Sequence, residues 1–439
     1  MIDAEILPEL ALRCNAWELF LGMPIQQAFE IFKKCDAYIS NIDFWYSEIS
    51  PFKFNMLLHL PNDGMKLHFD PKWQRLMVGF TISCLFSICS GSLCNYMRTH
   101  VLIFSLNFPL LVPDDKPGTF RLCYRGITFI FSSDSEFNLD EKDSTVAVLP
   151  PTGAPSSITD ASVANSEEQL IVKRIYVFLG QNVTEAKVPL QLPAGCFHGN
   201  VFLERLLVSR SKDRTDKLCF DLVYQGKCQK ASVSWPINCS GFSRHFRSVR
   251  LVERPAVRRY SSSVAFGDSV QDVLSALGSP SRIFYKTEDK MKIHLPQPYR
   301  QSRQKHSNFF YNYFSLGVDV LFDARTKRAI SFVLHTNQPG EYTFNTYYRC
   351  MFEIPLTGRS DDGEPKSVVV TPFVKVQSLL RGVIDDEPVV IHRETKSRKN
   401  PFGVTNAYCY HDLIFEVLPQ NGYLTSVTIY SLPDSSGAH

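Results

Sequence analysis

The chain has 439 residues, 44% of them hydrophobic and 13% aromatic. That is enough for a sizeable core in two to four domains, or in one elongated array of modules, and it excludes wholesale disorder. Its formal net charge is only +3. No global electrostatic field would therefore attract the chain to nucleic acid, and we expect no nucleic-acid partner.

The first predicted element is a short amphipathic helix over residues 24–33. Apolar residues take positions i, i+3, i+4 and i+7 of one helical face, and these are Ile25, Ala28, Phe29 and Phe32. Pro24 suits the start of the helix, because the amides of the first turn make no hydrogen bond within the helix. A proline, which has no amide hydrogen, therefore loses nothing there. The segment 64–78 then predicts a β-hairpin. This first module, with the apolar stretch after it, covers residues 1–131.

The apolar stretch runs from Leu76 to Cys94 without a charged residue, as a membrane-spanning helix would. Its beginning is needed for the returning strand of the hairpin, and several serines and a threonine weaken the remainder. We therefore expect that residues 76–112 do not cross a membrane. Met1 to Leu10 is acidic and lacks the basic start of a signal peptide, so we expect a cytoplasmic chain with reduced thiols.

Residues 132–169 are acidic and rich in Ser, Thr, Ala and Pro, which predicts a flexible linker. Alternating apolar runs with short turns between them follow, and they predict a central antiparallel β domain over residues 170–262. A basic cluster at its end could hold acidic lipid headgroups, or could simply keep a strand edge soluble. The cluster consists of Arg244, Arg247, Arg250, Arg254, Arg258 and Arg259.

A second module over residues 263–356 aligns with the first without a gap through its helix. That helix is predicted over 269–277, with Asp268 as N-cap, Gln271 as its capping-box partner and Gly278 as the stop.

The hairpin over 317–334 matches the hairpin over 64–78, and a third, weaker copy of the unit covers residues 366–433. Ordered similarity of this kind indicates a repeated structural unit. The sequence therefore predicts an α+β fold of repeated helix-plus-β-hairpin modules with a central antiparallel β domain.

The motif Gly267-Asp268-Ser269 resembles the nucleophile block of GDS-type serine esterases, in which the serine needs a histidine base and an orienting carboxylate. No Asp-x-x-His pair follows it, and the first module has Met23 and Pro24 at the matching positions. Helix capping explains the same residues, so a serine esterase is only the third function considered.

No other motif indicates a catalytic residue, a cofactor or a metal site. The twelve cysteines and eleven histidines show no zinc-ligand spacing, and no glycine-rich phosphate loop precedes a Lys-Ser/Thr pair. His335 lies near a predicted strand end, where a hydrogen-bonded structural histidine is expected. We predict that the protein is not an enzyme and needs no cofactor.

Two segments fit the loose aromatic-x-x-aliphatic pattern that ubiquitin-like autophagy modifiers bind by strand addition. They run from Tyr46 to Ile49 and from Phe415 to Leu418. Ordinary strands often show the same pattern, and for Phe415 we predict a core position. Tyr46 and Ile49 are the candidates for modifier binding.

Several longer motifs point to one family. Over residues 17–75 and 120–430 the chain resembles the phagosome assembly factor (Mytho) family, through LGMPIQQA, FGDSVQDVLSALGSP, YKTEDKMKIH, FFYNYFSLGVDVLFD, FVLHTNQPG, EPVVIHR and NPFG. The resemblance implies a role in autophagy without catalysis, together with a phosphoinositide-binding β-propeller partner. It also implies recruitment from the cytoplasm to the autophagosome formation site.

Two functions of different classes are compatible with the sequence. The resemblance favours a non-catalytic adaptor that is recruited together with its β-propeller partner. The arginine cluster favours a peripheral membrane module that binds phosphoinositides directly.

Overall fold

The fold is that of a computed structural model. Among the described residues β-strands dominate, and the two helices of more than one turn are short. The chain divides into two compact units, Met1–Cys196 and Phe197–His439, each considered by itself below. The structure describes residues 4–14, 17–35, 41–82, 86–87, 110–113, 119–132, 171–211, 214–225, 257–286, 307–359, 365–376, 387–392 and 404–431.

The first unit begins with a small antiparallel sheet of three strands, followed directly by helix α1 (Ile25–Lys34). The helix buries Ile25, Ala28 and Phe32 of the predicted apolar face, which confirms the periodicity. The three strands are β1 (Ala4–Leu7), β2 (Ala11–Cys14) and β3 (Glu18–Phe20).

The large sheet of the first unit consists of two antiparallel meanders of four strands each, joined by pairing of β7 with β12. A two-residue strand, β8 (Phe86–Ser87), also pairs with β12. The first meander contains β4 (Asp43–Trp45), β5 (Met56–Leu60), β6 (Met65–Phe69) and β7 (Leu76–Ile82). The second contains β9 (Leu110–Pro113), β10 (Thr119–Tyr124), β11 (Ile127–Ser132) and β12 (Ile171–Phe178).

The second unit contains a five-stranded sheet in the order β15-β14-β13-β20-β21, in which only β13 and β20 run parallel. Helix α2 (Val270–Leu277) follows β15 and packs its Val273 and Leu277 into the core. The strands are β13 (Val201–Ser211), β14 (Arg214–Gln225), β15 (Val257–Ala265), β20 (Phe352–Arg359) and β21 (Pro365–Val370).

The second unit also contains an eight-stranded antiparallel sheet, again made of two meanders whose last strands, β19 and β25, pair with each other. The first meander contains β16 (Arg282–Tyr285), β17 (Phe309–Tyr313), β18 (Val318–Phe322) and β19 (Ala329–His335). The second contains β22 (Val389–His392), β23 (Val404–Tyr410), β24 (Leu413–Val417) and β25 (Leu424–Tyr430).

One six-residue turn recurs before the last strand of three of these meanders, at residues 70–75, 323–328 and 418–423. In each copy the first and last residues are joined by a backbone hydrogen bond of 2.8 to 3.0 Å. The fifth residue has a positive φ in every copy, and it is Gln74, Lys327 or Gly422. The repeated turn explains why the sequence similarity includes these segments.

The last residue of each turn also forms an isolated β-bridge with the residue at or near the start of a helical segment. The three bridges are Pro24 with Arg75, Ser269 with Arg328, and Lys375 with Tyr423. Each meander is therefore fastened to the chain that precedes it at the same point.

The predicted fold class is wrong, because the architecture is predominantly β. The hairpins over 64–78 and 317–334 are present, but they are not separate modules. The outer edge of β7 pairs with β12, and that of β19 pairs with β25, so each hairpin continues into a larger antiparallel sheet.

The predicted central antiparallel β domain is also wrong. The first strand of the predicted domain is β12, and it pairs with β11 and β7 in the large sheet of the first unit. Strands β13 to β15 instead share a sheet with β20 and β21 of the second unit. Of the predicted linker, residues 133–169 lie outside the described residues, and the module boundaries stay a prediction.

The described part of the chain contains no helix that is both long and apolar enough to cross a membrane. Of the apolar stretch 76–112, the first seven residues form β7. Residues 83–85 and 88–109 lie outside the described residues.

The predicted N-cap of α2, Asp268, is wrong, because the N-cap is Ser269. The Oγ of Ser269 accepts a hydrogen bond from the amide of Asp272 at 3.2 Å, and the Asp272 carboxylate accepts one from the amide of Ser269 at 3.0 Å. Asp268 is engaged elsewhere, since its carboxylate accepts from the amide of Ala265 at 2.8 Å. Gly278 ends the helix with φ +83°, as predicted.

We expect Ser269→Ala to lower the free energy of unfolding of the second unit by about 1 kcal/mol, because the substitution leaves the amide of Asp272 without its cap. Ser275→Ala is the matched control, since Ser275 is an exposed residue inside the same helix and alanine is the better helix former there. Chemical denaturation of both variants measures the difference. Equal stability of the two variants would contradict the assignment of the cap.

Candidate functional site

The structure describes two of the six arginines in the predicted lipid-binding cluster. Arg258 and Arg259 lie on β15, at the edge of the five-stranded sheet, and both are exposed. The Nε of Arg259 lies 3.0 Å from a carboxylate oxygen of Glu204, so part of its charge is matched within the protein. Residues 244–254 lie outside the described residues, and headgroup binding by the cluster stays a prediction.

The predicted modifier-binding segment lies directly after β4, the edge strand of the first large sheet. Tyr46 is half-buried and stacks on Phe44 with ring centroids 5.4 Å apart. Ile49 is 78% exposed. The chain bends between them, where Ser47 Oγ accepts a hydrogen bond from the amide of Ser50 at 3.1 Å. Modifier binding through Tyr46 and Ile49 stays a prediction.

Two other residues that the sequence singled out have structural roles. Phe415 is fully buried and Leu418 is 3% exposed, which confirms the predicted core position of that segment. The hydroxyl of Ser269 donates to the Asp272 carboxylate at 2.7 Å, so it is part of the helix cap.

The eight-stranded sheet carries a pocket of about 530 Å³ on the face opposite its apolar core, here called the sheet pocket. Strand alternation produces it. On β18 the side chains of Val318, Val320 and Phe322 enter the core, while Asp319 between them faces the other way and lines the pocket. The connection between β19 and β20 contributes Glu341, Tyr342, Thr343, Thr346 and Tyr347 as one wall.

The carboxylate of Asp319 organises one side of the sheet pocket. One oxygen accepts from Asn312 Nδ2 at 2.8 Å. The other accepts from Tyr347 Oη and from His335 Nε2, both at 2.9 Å. Because all four side chains are buried, losing the shared acceptor would break three buried hydrogen bonds at once.

Tyr347 and His335 lie against each other, with ring centroids 3.8 Å apart and planes 12° from parallel. Burial, and next the negative charge of Asp319, raise the pKa of the Tyr347 hydroxyl well above its ordinary value. The hydroxyl therefore stays protonated near neutral pH and remains a donor to Asp319. His335 was expected to be a hydrogen-bonded structural histidine, and its bond to Asp319 confirms this.

Glu416 lies on β24 on the other side of the sheet pocket and is also buried. One carboxylate oxygen accepts from Thr405 Oγ1 at 2.6 Å, and the other accepts from Ser426 Oγ at 2.9 Å. These two bonds hold the carboxylate in one orientation.

The wall of the sheet pocket is fixed by backbone contacts at Gly317. A Cβ at this position would lie 2.3 Å from the carbonyl oxygen of Tyr348 and 2.8 Å from the amide of Cys350. The close approach allows the Cys350 amide to donate to the carbonyl of His335 at 2.8 Å. It also places Tyr347 over the sheet.

Sequence reasoning placed Asp319 only within the predicted hairpin over 317–334 and missed the pocket. The residues that line it are separated along the chain and come from β16 to β19, β23 to β25 and the wall. The available signal was the presence of polar residues such as Asn312, Asp319 and His335 on neighbouring strands. Without strand pairing, that signal cannot be assembled into a site.

We expect Asp319→Ala to lower the free energy of unfolding by about 3 kcal/mol, because it removes the acceptor of three buried hydrogen bonds. Asp216→Ala is the matched control, since Asp216 is exposed in the same unit and its loss should change stability by about 0.5 kcal/mol or less. Chemical denaturation compares the two. A loss at Asp319 no larger than the control would show that the network contributes little.

Gly317→Ala should destabilise the second unit by more than about 2 kcal/mol, because the new Cβ meets backbone atoms that cannot move independently. Gly422→Ala is the control. Gly422 also has a positive φ, but a Cβ added there would meet no atom within 4 Å. The substitution therefore costs only the roughly 1 kcal/mol by which alanine is disfavoured in a left-handed backbone conformation. Thermal and chemical unfolding of both variants test the difference, and the reverse order would contradict the close approach.

Comparison with known proteins gives one family, and the similar relatives include three from a fly, a worm and a plant. The family model for phagosome assembly factor 1 matches residues 15–83 and 103–430. The Drosophila melanogaster protein named PHAF1 protein CG7083 is 34% identical over 473 residues, covering 100% of this chain and 97% of its own length.

The other two relatives come from a worm and a plant. PHAF1 protein T01G9.2 of Caenorhabditis elegans is 29% identical over 97% of this chain and 93% of its own length. PHAF1 protein At3g51130 of Arabidopsis thaliana is 26% identical over 93% of this chain and 89% of its own. No solved structure matches the chain.

Proposed function

Since the chain belongs to the phagosome assembly factor 1 family, we propose that it acts in autophagy as a non-catalytic adaptor at the autophagosome formation site. It is recruited there from the cytoplasm together with a β-propeller partner that binds phosphoinositides. The family's name supports the role in phagosome assembly. The observation that supports docking is a group of exposed aromatic and aliphatic side chains on the first unit.

These side chains form what is here called the first-sheet patch, made of Trp45, Ile49, Phe54 and Trp73. Each is more than half exposed. Trp45 pairs with Leu57, and Met56 pairs with Phe69, so the loop 46–55 and the turn 70–75 emerge at the same end of the sheet. Exposed apolar groups gathered in one place are typical of protein-binding surfaces.

The composition of the first-sheet patch is more typical of a protein-binding surface than of a surface that contacts only solvent. Tryptophan is enriched among the residues that carry most of the energy of protein–protein binding, and the patch holds two tryptophans. Strand β4 beside it lies at the edge of the sheet in the part of the chain that the structure describes. We assign the patch to the β-propeller partner, while Tyr46 and Ile49 offer a second contact for ubiquitin-like autophagy modifiers.

The alternative is a peripheral module that binds phosphoinositides directly through the arginine cluster. Each basic residue near an anionic membrane contributes about 1 kcal/mol of attraction, and salt weakens it. In the adaptor proposal this attraction is secondary to the partner. The two proposals therefore differ in which change abolishes recruitment.

We expect the double variant Trp45→Ala with Trp73→Ala to weaken binding to the β-propeller partner by roughly tenfold or more, because two large contact side chains are removed. Leu190→Ala is the matched control, since Leu190 is a fully exposed leucine of the same unit and lies outside the patch. Direct binding of purified proteins and imaging of recruitment in cells provide the measurements.

Charge reversal at Arg244, Arg247 and Arg250 should reduce membrane residence only modestly. The reduction should be larger at low salt, because salt screens the attraction between the arginines and the membrane. Recruitment that survives both the patch variant and removal of the partner, but disappears on charge reversal, would replace the adaptor by the lipid-binding module.

A further inference from the structure

We propose that the sheet pocket of the second unit binds an organic cation, through a guanidinium or ammonium group. This inference goes beyond the proposed function, because it concerns a different unit and requires no protein partner. It rests on the charge of the lining, on its aromatic rings and on one buried nitrogen that lacks a hydrogen-bond partner.

The charged residues that line the sheet pocket are mostly acidic. Three carboxylates, those of Asp319, Glu341 and Glu416, face it, against the single guanidinium of Arg282. Arg282 lies on the edge strand β16 and is exposed to solvent, whereas the three acids are buried. Because buried charges are screened less than exposed ones, the interior of the pocket favours a positive ligand.

Aromatic rings surround these acids. The lining includes Phe284, Phe310, Phe314, Tyr342 and Tyr347, and the first and fourth of these are largely exposed to solvent. The face of an aromatic ring attracts a cation, and carboxylates combined with such faces are the usual means of recognising guanidinium and ammonium groups. Arg282 already lies 5.8 Å from the ring centroid of Phe284.

His335 adds an unpartnered polar atom inside the sheet pocket. Its side chain is about nine-tenths buried, and its Nε2 lies 2.9 Å from Asp319 Oδ2. An ionised carboxylate only accepts, so Nε2 carries a hydrogen, and in the tautomer with its hydrogen on Nε2 the other nitrogen, Nδ1, is an acceptor. Nδ1 has no hydrogen-bond partner, and an N–H of a bound cation would provide the missing donor.

The size of the sheet pocket and the arrangement of its acids fit an organic cation. About 530 Å³ is within the usual range for small-ligand sites. Among the described residues, no three His, Cys, Asp or Glu side chains are grouped so that they could hold a metal ion. The carboxylate of Glu416 is held in one orientation by two hydroxyl donors, so its negative charge has a fixed position in the lining.

Calorimetric titration of the full chain at low ionic strength tests the proposal, using agmatine and the blocked tripeptide acetyl-Gly-Arg-Gly-amide as probes. Glutarate, a dianion of similar size, is the control ligand. We expect saturable binding of a cation at one site and no binding of glutarate. If agmatine and the peptide both bind, the ligand is a small amine. If only the peptide binds, the ligand is an arginine side chain of another protein segment.

Variants then locate the site. Glu416→Gln should weaken cation binding about tenfold or more, because a charge-assisted hydrogen bond is lost. Glu204→Gln is the matched control, since Glu204 is an exposed carboxylate of the same unit outside the pocket, and it should leave the affinity unchanged. Circular dichroism checks that each variant is folded.

The direction of the affinity change in Arg282→Gln is the decisive test. This variant can be used even if Glu416→Gln does not fold, because Arg282 is exposed. Removing its positive charge should tighten cation binding severalfold, since like charges repel. Three results would overturn the proposal: no binding of either cation, weaker binding in Arg282→Gln, or equal loss of affinity in Glu416→Gln and Glu204→Gln.

Discussion

Both large sheets depend on one antiparallel pairing, in which the last strands of two four-stranded meanders share their backbone hydrogen bonds. In the second unit this pairing joins β19 to β25 and places Leu334 opposite Val427 and His335 opposite Ser426. The first pair is buried in the core, while the second lies on the opposite face beside Glu416. Without this pairing, each meander would expose a long unsatisfied edge, and the sheet pocket would be divided into two halves.

The local parts of this architecture could be predicted from the sequence. The apolar stripe of α2 and the alternation of β18 are set by neighbouring residues, and the structure has both. The pairing of β19 with β25 could not be predicted in the same way, because residues about 90 positions apart meet there. Alternation indicates which face a side chain takes but not which strand lies beside it. The predicted modules were therefore correct as helix and hairpin but wrong as a fold.

The cap of α2 shows the same limit at the scale of single residues. Asp268 with Gln271 and Ser269 with Asp272 both have the spacing of a capping box. The amide of Ala265 decides between them, because it occupies the carboxylate of Asp268 and leaves Ser269 to cap the helix. The sheet pocket was missed for a related reason. Asp319 and His335 form one network only once β18 and β19 lie side by side.

The close approach at Gly317 has a consequence for how the family can vary. The wall between β19 and β20 is held by main-chain bonds at its base, where the Cys350 amide meets the His335 carbonyl and the Tyr348 amide meets the Phe314 carbonyl. Main-chain bonds do not depend on which side chains the wall carries. Positions such as Tyr342 and Thr343 can therefore change between relatives while the wall keeps its place, so selectivity for a ligand can diverge on a constant scaffold.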